Sequence, residues 1–193
     1  MKIGVLAVQG AFIEHEKALA RIGAEPVQVR LPQQIEGLHG LIIPGGESTT
    51  IGKVARQWGL LEPIRAFGQS GHPLWGTCAG MILMAKQVLD SAPDQPTLGL
   101  MDIAVHRNAF GRQVDSFEAA LKIPVLGESP FHAIFIRAPL IERVGEGVDV
   151  IARLEDGTVV AARQGNLLVT AFHPELMEDD RFHRYFLSLP GMS

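Results

Sequence analysis

Pro73-Leu74-Trp75-Gly76-Thr77-Cys78-Ala79-Gly80, followed by the helix-like run Met81 to Leu89, is the stretch that decides how the chain is read. An apolar run that passes through glycine, reaches a polar residue and restarts with helical spacing is a strand-to-helix turn. A small-x-Cys-x-small bracket at such a turn exposes a reactive side chain. The glycines permit a sharp, crowded backbone, and the following helix points free amides and partial positive charge at the sulfur. Those surroundings favour the thiolate. Taken alone, the same cysteine reads equally well as a small buried hydrophobe.

A second segment tips the balance. Phe172-His173-Pro174-Glu175 follows another apolar run, Leu167 to Ala171. On an extended chain, side chains two apart share a face, so His173 and Glu175 point the same way, with Pro174 stiffening the link. A thiol that attacks a carbonyl needs a base for its proton, and the base needs an acceptor on its other nitrogen to fix tautomer and charge. Cys78, His173 and Glu175 fill those three roles. Each stands at the C-terminal end of a predicted strand, where open α/β sheets place their ligand sites.

Outward from these two segments the first half alternates strand and helix. Ile3 to Val8 is a predicted strand, Phe12 to Arg21 a helix stopped by Gly23, Pro26 to Val29 a short strand and Leu38 to Ile43 a buried strand. Pro44-Gly45-Gly46 breaks the chain, Glu47-Ser48-Thr49-Thr50 starts a helix through Trp58, and Leu60 to Phe67 forms another. Such alternation predicts a parallel sheet covered on both faces. The second half is richer in strands: 103–105, 117–123, 133–136, 148–154, 158–162 and 167–171, with turns at Asp156-Gly157 and Gln164-Gly165-Asn166. An antiparallel layer extending the parallel core is expected, closed by a helix over Asp179 to Leu187. No repeat or linker divides the chain, so residues 1–193 are expected to form one domain.

Composition narrows the function classes. Among 193 residues, 47% are hydrophobic and 20% charged, which is ordinary for a globular protein. A net charge of −4 without a basic cluster argues against nucleic acid or an anionic membrane as partner. A single cysteine allows no intrachain disulfide, and the apolar run after Met1 is too short for a signal core or a span; both point to the cytoplasm. The seven histidines show no ligand spacing, so neither metal nor cofactor is expected.

Attack on a carbonyl creates an oxyanion that needs preorganised amide donors. The amide of Ala79 is one, and Gly45-Gly46, leaving a buried strand, permits the close backbone approach that supplies another. It is not a phosphate loop, since no Gly-Lys-Ser/Thr follows. Arg107 to Gln113, and Ile136-Arg137-Ala138-Pro139, are loop segments whose arginines are either surface residues or a wall for a small substrate bearing a carboxylate and an amide. Met81 to Met84 is taken as core, and Glu14-His15-Glu16 as a solvated helix face.

The motifs together resemble the class I, triad-type glutamine amidotransferases. Longer strings narrow the likeness: Val8-Gln9-Gly10, Pro44 to Thr50, Gly76 to Gly80, Arg107-Asn108, Phe110 to Glu118, Phe135 to Pro139 and Phe172 to Glu175. Nearly from end to end they are similar to the glutaminase subunits of pyridoxal 5′-phosphate synthases. The resemblance implies a three-layer, flavodoxin-like α/β fold and hydrolysis of L-glutamine to glutamate and ammonia. It also implies delivery of the ammonia to a synthase subunit that condenses ribose 5-phosphate with glyceraldehyde 3-phosphate, within a hetero-oligomer. Carried over by position, Cys78 is the nucleophile and His173 and Glu175 complete the triad. Gly46, Glu47, Ser48, Arg107, Ile136 and Arg137 contact glutamine, and Gln9 and Gly10 lie on the rim facing the partner. Members of the family are nearly silent until that partner orders the oxyanion loop. Fold and triad do not choose the ammonia acceptor, so a glutaminase of another synthase, such as imidazole glycerol phosphate synthase, and a non-catalytic subunit stand as alternatives.

Overall fold

In the computed structural model, which describes residues 1–91, 94–108 and 116–192, five parallel strands form the middle of the molecule. They are β1 (Lys2–Leu6), β2 (Glu25–Val29), β3 (Gly40–Ile43), β4 (Leu74–Thr77) and β12 (Leu167–Thr170), in spatial order β2-β1-β3-β4-β12. Every residue of β3, β4 and β12 is buried. That explains why these strands appear in sequence as continuous apolar runs rather than alternating ones: both faces are covered. The covering helices are α1 (Phe12–Arg21), α2 (Ser48–Gln57), α3 (Leu61–Gln69), α4 (Ala79–Met84) and α5 (Arg181–Leu187).

Beyond β12 the sheet turns largely antiparallel. β11 (Val159–Gln164), β9 (Leu140–Val144) and β6 (Met101–His106) follow in that order, β5 (Ala85–Val88) runs parallel to β6 at the edge, and β10 (Asp149–Arg153) pairs with β11. The turns at Asp156-Gly157 and Gly165-Asn166 connect antiparallel partners, as the glycines there suggest. A separate antiparallel ribbon, β7 (Ser116–Leu121) with β8 (Phe131–Ile136), pairs from Ser116↔Ile136 to Leu121↔Phe131. The fold is therefore α/β, with a mostly parallel centre and an antiparallel extension.

One local expectation is corrected and one strand is added. The helix read over Met81 to Leu89 stops at Met84, because Ala85 turns extended (ψ 143°) and its segment pairs with β6. Leu98 and Leu100 donate to the carbonyls of Leu83 and Met84, so the backbone groups of the last turn are satisfied by distant chain. Tertiary pairing overrides local spacing here. β9, with Glu142 and Arg143 in its middle, also went unread; it is recruited between β6 and β11.

An aromatic cluster ties the ribbon to the sheet. Phe172 meets Phe182 of α5 at 5.3 Å and Phe135 of β8 at 5.4 Å between ring centroids, and Phe131 meets Phe182 at 4.9 Å. Each such ring contributes about 1.5–3 kcal/mol by burial. The cluster fixes the chain just before His173, whose amide donates to Ile134 O at 2.9 Å.

Candidate active site

The site assembles at the C-terminal ends of β1, β3, β4 and β12, the edge at which open α/β sheets collect ligands. Cys78 follows β4 directly, with φ 50° and ψ −105°, a conformation that L-residues rarely adopt. What holds it there is close packing of backbone. A Cβ on Gly76 would lie 2.5 Å from Gly80 C, and a Cβ on Gly80 would lie 2.0 Å from Ile43 O. The two glycines of the bracket are thus the points at which α4 folds back over β4 and crosses β3. The Cys78 amide is anchored to Thr170 O at 2.8 Å, which ties the turn to β12.

His173 lies against this turn. Its Nδ1 is 2.6 Å from Glu175 Oε1, and its ring lines one recess together with Cys78. All three residues are at least nine-tenths buried. Burial opposes a charge on His173, but the hydrogen bonds to Cys78 and Glu175 and their negative charge outweigh it and raise its pKa to about 10. The imidazolium is the stable form at neutral pH. Gly45 packs directly on the ring: a Cβ there would fall 2.4 Å from His173 Cε1 and 3.3 Å from Cys78 Cβ. The two-glycine loop is therefore required by contact with the triad as well as by any ligand.

The loop after β3 is buttressed from β1. Gln9 Oε1 accepts from the Glu47 amide at 3.0 Å, and the Ala11 amide donates to Gly45 O at 3.1 Å. Glu47 caps α2, accepting from the amides of Thr49 and Thr50 at 3.0 and 2.7 Å and from the Thr50 hydroxyl at 2.7 Å. Desolvation works against its carboxylate, but these hydrogen bonds prevail and lower its pKa to about 2. The same carboxylate receives Arg107 Nη2 at 3.2 Å. A pocket of about 380 Å³ opens over Cys78, walled by Gly46, Glu47, Ser48, Ala79, Arg107 and Arg137 among others. That is the size range of small-ligand sites. Arg137, with φ 44°, and Cys78 are the non-glycine residues at positive φ among those described, and both line this pocket.

Of the residues singled out from sequence, Gly46, Glu47, Ser48, Cys78, Ala79, Arg107 and Arg137 line this pocket, His173 and Ile136 line the adjoining recess, and Glu175 is buried behind His173. Ile136 is 40% exposed, and its carbonyl is 3.9 Å from the Cys78 sulfur. Ala109 to Asp115, which include part of the Phe110 to Glu118 string, lie outside the described residues. A second recess of about 450 Å³ shares Gly46, Cys78 and Arg137 but opens past Gly10, Ala11 and Leu176. Another cleft, of about 860 Å³, lies between β7 and β10 and holds none of the triad. Among the described residues, no group of three His, Cys, Asp or Glu side chains is placed to hold a metal, and no helix is long and apolar enough to cross a membrane.

A thiol beside an imidazole, a carboxylate behind that imidazole and a glycine loop beside the sulfur form the constellation of a cysteine acyl-transfer site. Residues 5–189 match the model of the SNO glutamine amidotransferase family. The chain belongs to the SNO glutamine amidotransferase family. As a member it is an enzyme, and its relatives agree. The pyridoxal 5′-phosphate synthase subunit PdxT of Herpetosiphon aurantiacus is 62% identical over 190 residues, 98% of this chain and 100% of the relative. That of Pelotomaculum thermopropionicum is 62% identical over 187 residues, 97% and 94% of the two chains. A crystal structure of a glutamine amidotransferase superposes with a TM-score of 0.91 at 53% identity, covering 96% of each chain. PurLQS from Thermotoga maritima, at 18% identity and a TM-score of 0.67, shares the fold.

The feature that sequence reading missed is His15. It is fully buried, on the same face of α1 as Ala18 and Leu19, and reaches the back of the triad. The i, i+3, i+4 spacing of those three residues was the available signal; the flanking glutamates masked it.

Proposed function

We propose that this amidotransferase is the glutaminase subunit of a pyridoxal 5′-phosphate synthase, converting L-glutamine and water to L-glutamate and ammonia through a glutamyl thioester on Cys78. The observation that carries the chemistry is His173, bonded to Glu175 at 2.6 Å and lining one recess with Cys78. The pathway rests on relatives 62% identical across nearly the whole chain that are named as PdxT.

The thiolate attacks the side-chain amide carbon of glutamine, and the oxyanion is taken up by the Ala79 amide and the loop at Gly46. His173 gives its proton to the departing nitrogen, and ammonia leaves. The ring, now neutral, takes a proton from water, which attacks the thioester; collapse releases glutamate and returns the thiolate–imidazolium pair. Glu175 holds the ring's other nitrogen throughout. The pocket wall of Glu47, Arg107 and Arg137 suits the ammonium and carboxylate of the substrate's amino-acid end. On this reading the synthase subunit docks at the rim by Gln9 and Gly10 and receives ammonia there; the second recess, lined by Gly10 and Leu176, opens on that side. A lone thiol of this kind belongs in the reducing cytoplasm.

The test is reconstitution with the synthase subunit. The complex releases ammonia from glutamine and forms pyridoxal phosphate from the two sugar phosphates. Cys78→Ala abolishes glutamine use while added ammonium salts still support the product; a variant that still deamidates glutamine refutes the assignment.

A further inference from the structure

Behind the triad, on the side away from the pocket, stands a line of polar side chains that the acyl-transfer steps do not use. His15 Nε2 is 3.5 Å from Glu175 Oε2 and 3.3 Å from Thr77 Oγ1, and His15 Nδ1 is 3.0 Å from His183 Nε2 in α5. The side chains of His15 and Glu175 are 0% exposed. Glu175 Oε2 is buried and makes no hydrogen bond of its own. Its contact with His15 is therefore electrostatic at this distance.

A carboxylate with one oxygen engaged and the other bare has little to fix its plane, because the terminal torsion of glutamate is broad. We propose that His15, held in one tautomer by His183, is a positioning residue: it fixes the Glu175 carboxylate and, through it, the ring of His173. The inference rests on the triad reading above and adds a layer to it.

The tautomers follow from where each lone pair would point. Were His15 to donate from Nδ1 to His183, its bare Nε2 would face the carboxylate. His183 would then carry its proton on Nδ1, which is buried and has no partner. A repulsion and an orphaned N–H would result. In the reverse arrangement His183 donates from Nε2 to His15 Nδ1, and His15 presents Nε2–H to Glu175 and Thr77. That leaves only a bare lone pair on His183, the cheaper vacancy.

The surroundings keep this pair neutral. Burial, then the neighbouring His183 and His173, hold His15 well below the ordinary histidine range. Burial lowers His183 to about 4, with Asp180 and Arg21 acting in opposite senses. From β4, Trp75 packs edge-on against both rings, at 5.5 Å from His15 and 4.9 Å from His183. A neutral donor steadies Glu175 without competing as a second cation for the carboxylate that supports His173.

The test is the pH dependence of Cys78 alkylation by iodoacetamide in the full-length chain, with glutamine turnover measured in the complex. In His15→Leu the loosened Glu175 supports the imidazolium less well. The acidic midpoint of alkylation rises by about one pH unit, equivalent to a tenfold change in the ionisation equilibrium. Glutaminase kcat falls about tenfold with KM unchanged, the pattern for a loss felt at the chemical step. His15→Gln, whose carboxamide still donates to Glu175, returns both quantities toward the parent. A His15→Leu profile that superposes on the parent overturns the proposal, as does a shift that His15→Gln fails to reverse. If His15→Leu does not fold, His183→Leu decides by the same shift, smaller in size, and superposition again overturns it. His173→Ala is the control: if it too leaves the profile unchanged, the triad assignment has failed rather than the role of His15.

Discussion

The two sides of Cys78 are built from opposite materials. In front, strand-end loops form an open pocket walled by Glu47, Arg107 and Arg137, charged groups with solvent access. Behind, helices α1 and α5 seal His15 and His183 against Trp75, with no exposed surface and no charge at neutral pH. In the proposed function the front recognises substrate by charge, and in the proposed arrangement the back sets the protonation of the triad while itself uncharged. On that reading the groups that bind substrate and those that tune the base are kept on separate elements. Substitutions in front should alter binding and turnover, whereas substitutions behind should alter stability and pH dependence.

The largest effect tests whether both sides converge on the sulfur. Cys78→Ala and His173→Ala are each expected to lower glutamine turnover by about 10⁴-fold or more, and Glu175→Gln by less, since the orienting carboxylate is the most replaceable member of a triad. Equal losses for His173→Ala and Glu175→Gln, measured as kcat of the complex, would count against the role of Glu175. Next comes the front wall. A Cβ on Gly46 would fall 2.5 Å from Gln9 Oε1, displacing the side chain that accepts from the Glu47 amide. Gly46→Ala is expected to cost about 10²–10³ in kcat, the range for one lost oxyanion donor, a larger effect than on thermal stability.

Gly80→Ala reverses that pattern. Its Cβ would meet the Ile43 carbonyl at 2.0 Å, a backbone clash that no rotamer relieves. The expected loss is about 1–3 kcal/mol, read as a fall of several degrees in Tm. Titration separates the two sides further. Because the pKa of His173 is raised from 6.5 to about 10, its protonated form is the stabilised one. That contribution is full below about pH 6.5 and is lost as pH rises through about 10. In Cys78→Ala the ring loses one hydrogen bond and one charge, and its NMR titration should move to lower pH. The smallest effect concerns Glu47, whose depressed pKa gives a contribution present above about 4.5 and lost as pH falls through about 2. Glu47→Ala removes the cap of α2, worth about 1 kcal/mol, measurable by denaturant unfolding.

Legibility follows the same division. The front was readable because reactive residues, glycines and turns occupy short contiguous strings: Gly76 to Gly80, Pro44 to Thr50, Phe172 to Glu175. Each names its own local geometry. β1, α1 and β3 were readable from periodicity and from Gly23 and Pro44. The back was not readable, since His15 and His183 stand 168 positions apart and meet only when α1 and α5 pack on opposite ends of the sheet's connectivity. A histidine between two glutamates looks solvated until the burial of Ala18 and Leu19 is known. The end of α4 at Met84 and the strand character of β5 and β9 were likewise hidden, because sheet partners far along the chain decide them.

The most direct measurement is the reaction of the reconstituted complex with a glutamine-like chloroketone, followed by intact mass. One adduct per chain, located on Cys78, lost in Cys78→Ala and strongly slowed in His173→Ala, is the expected result. An adduct elsewhere, or labelling of Cys78 at an undiminished rate without His173, would contradict the account.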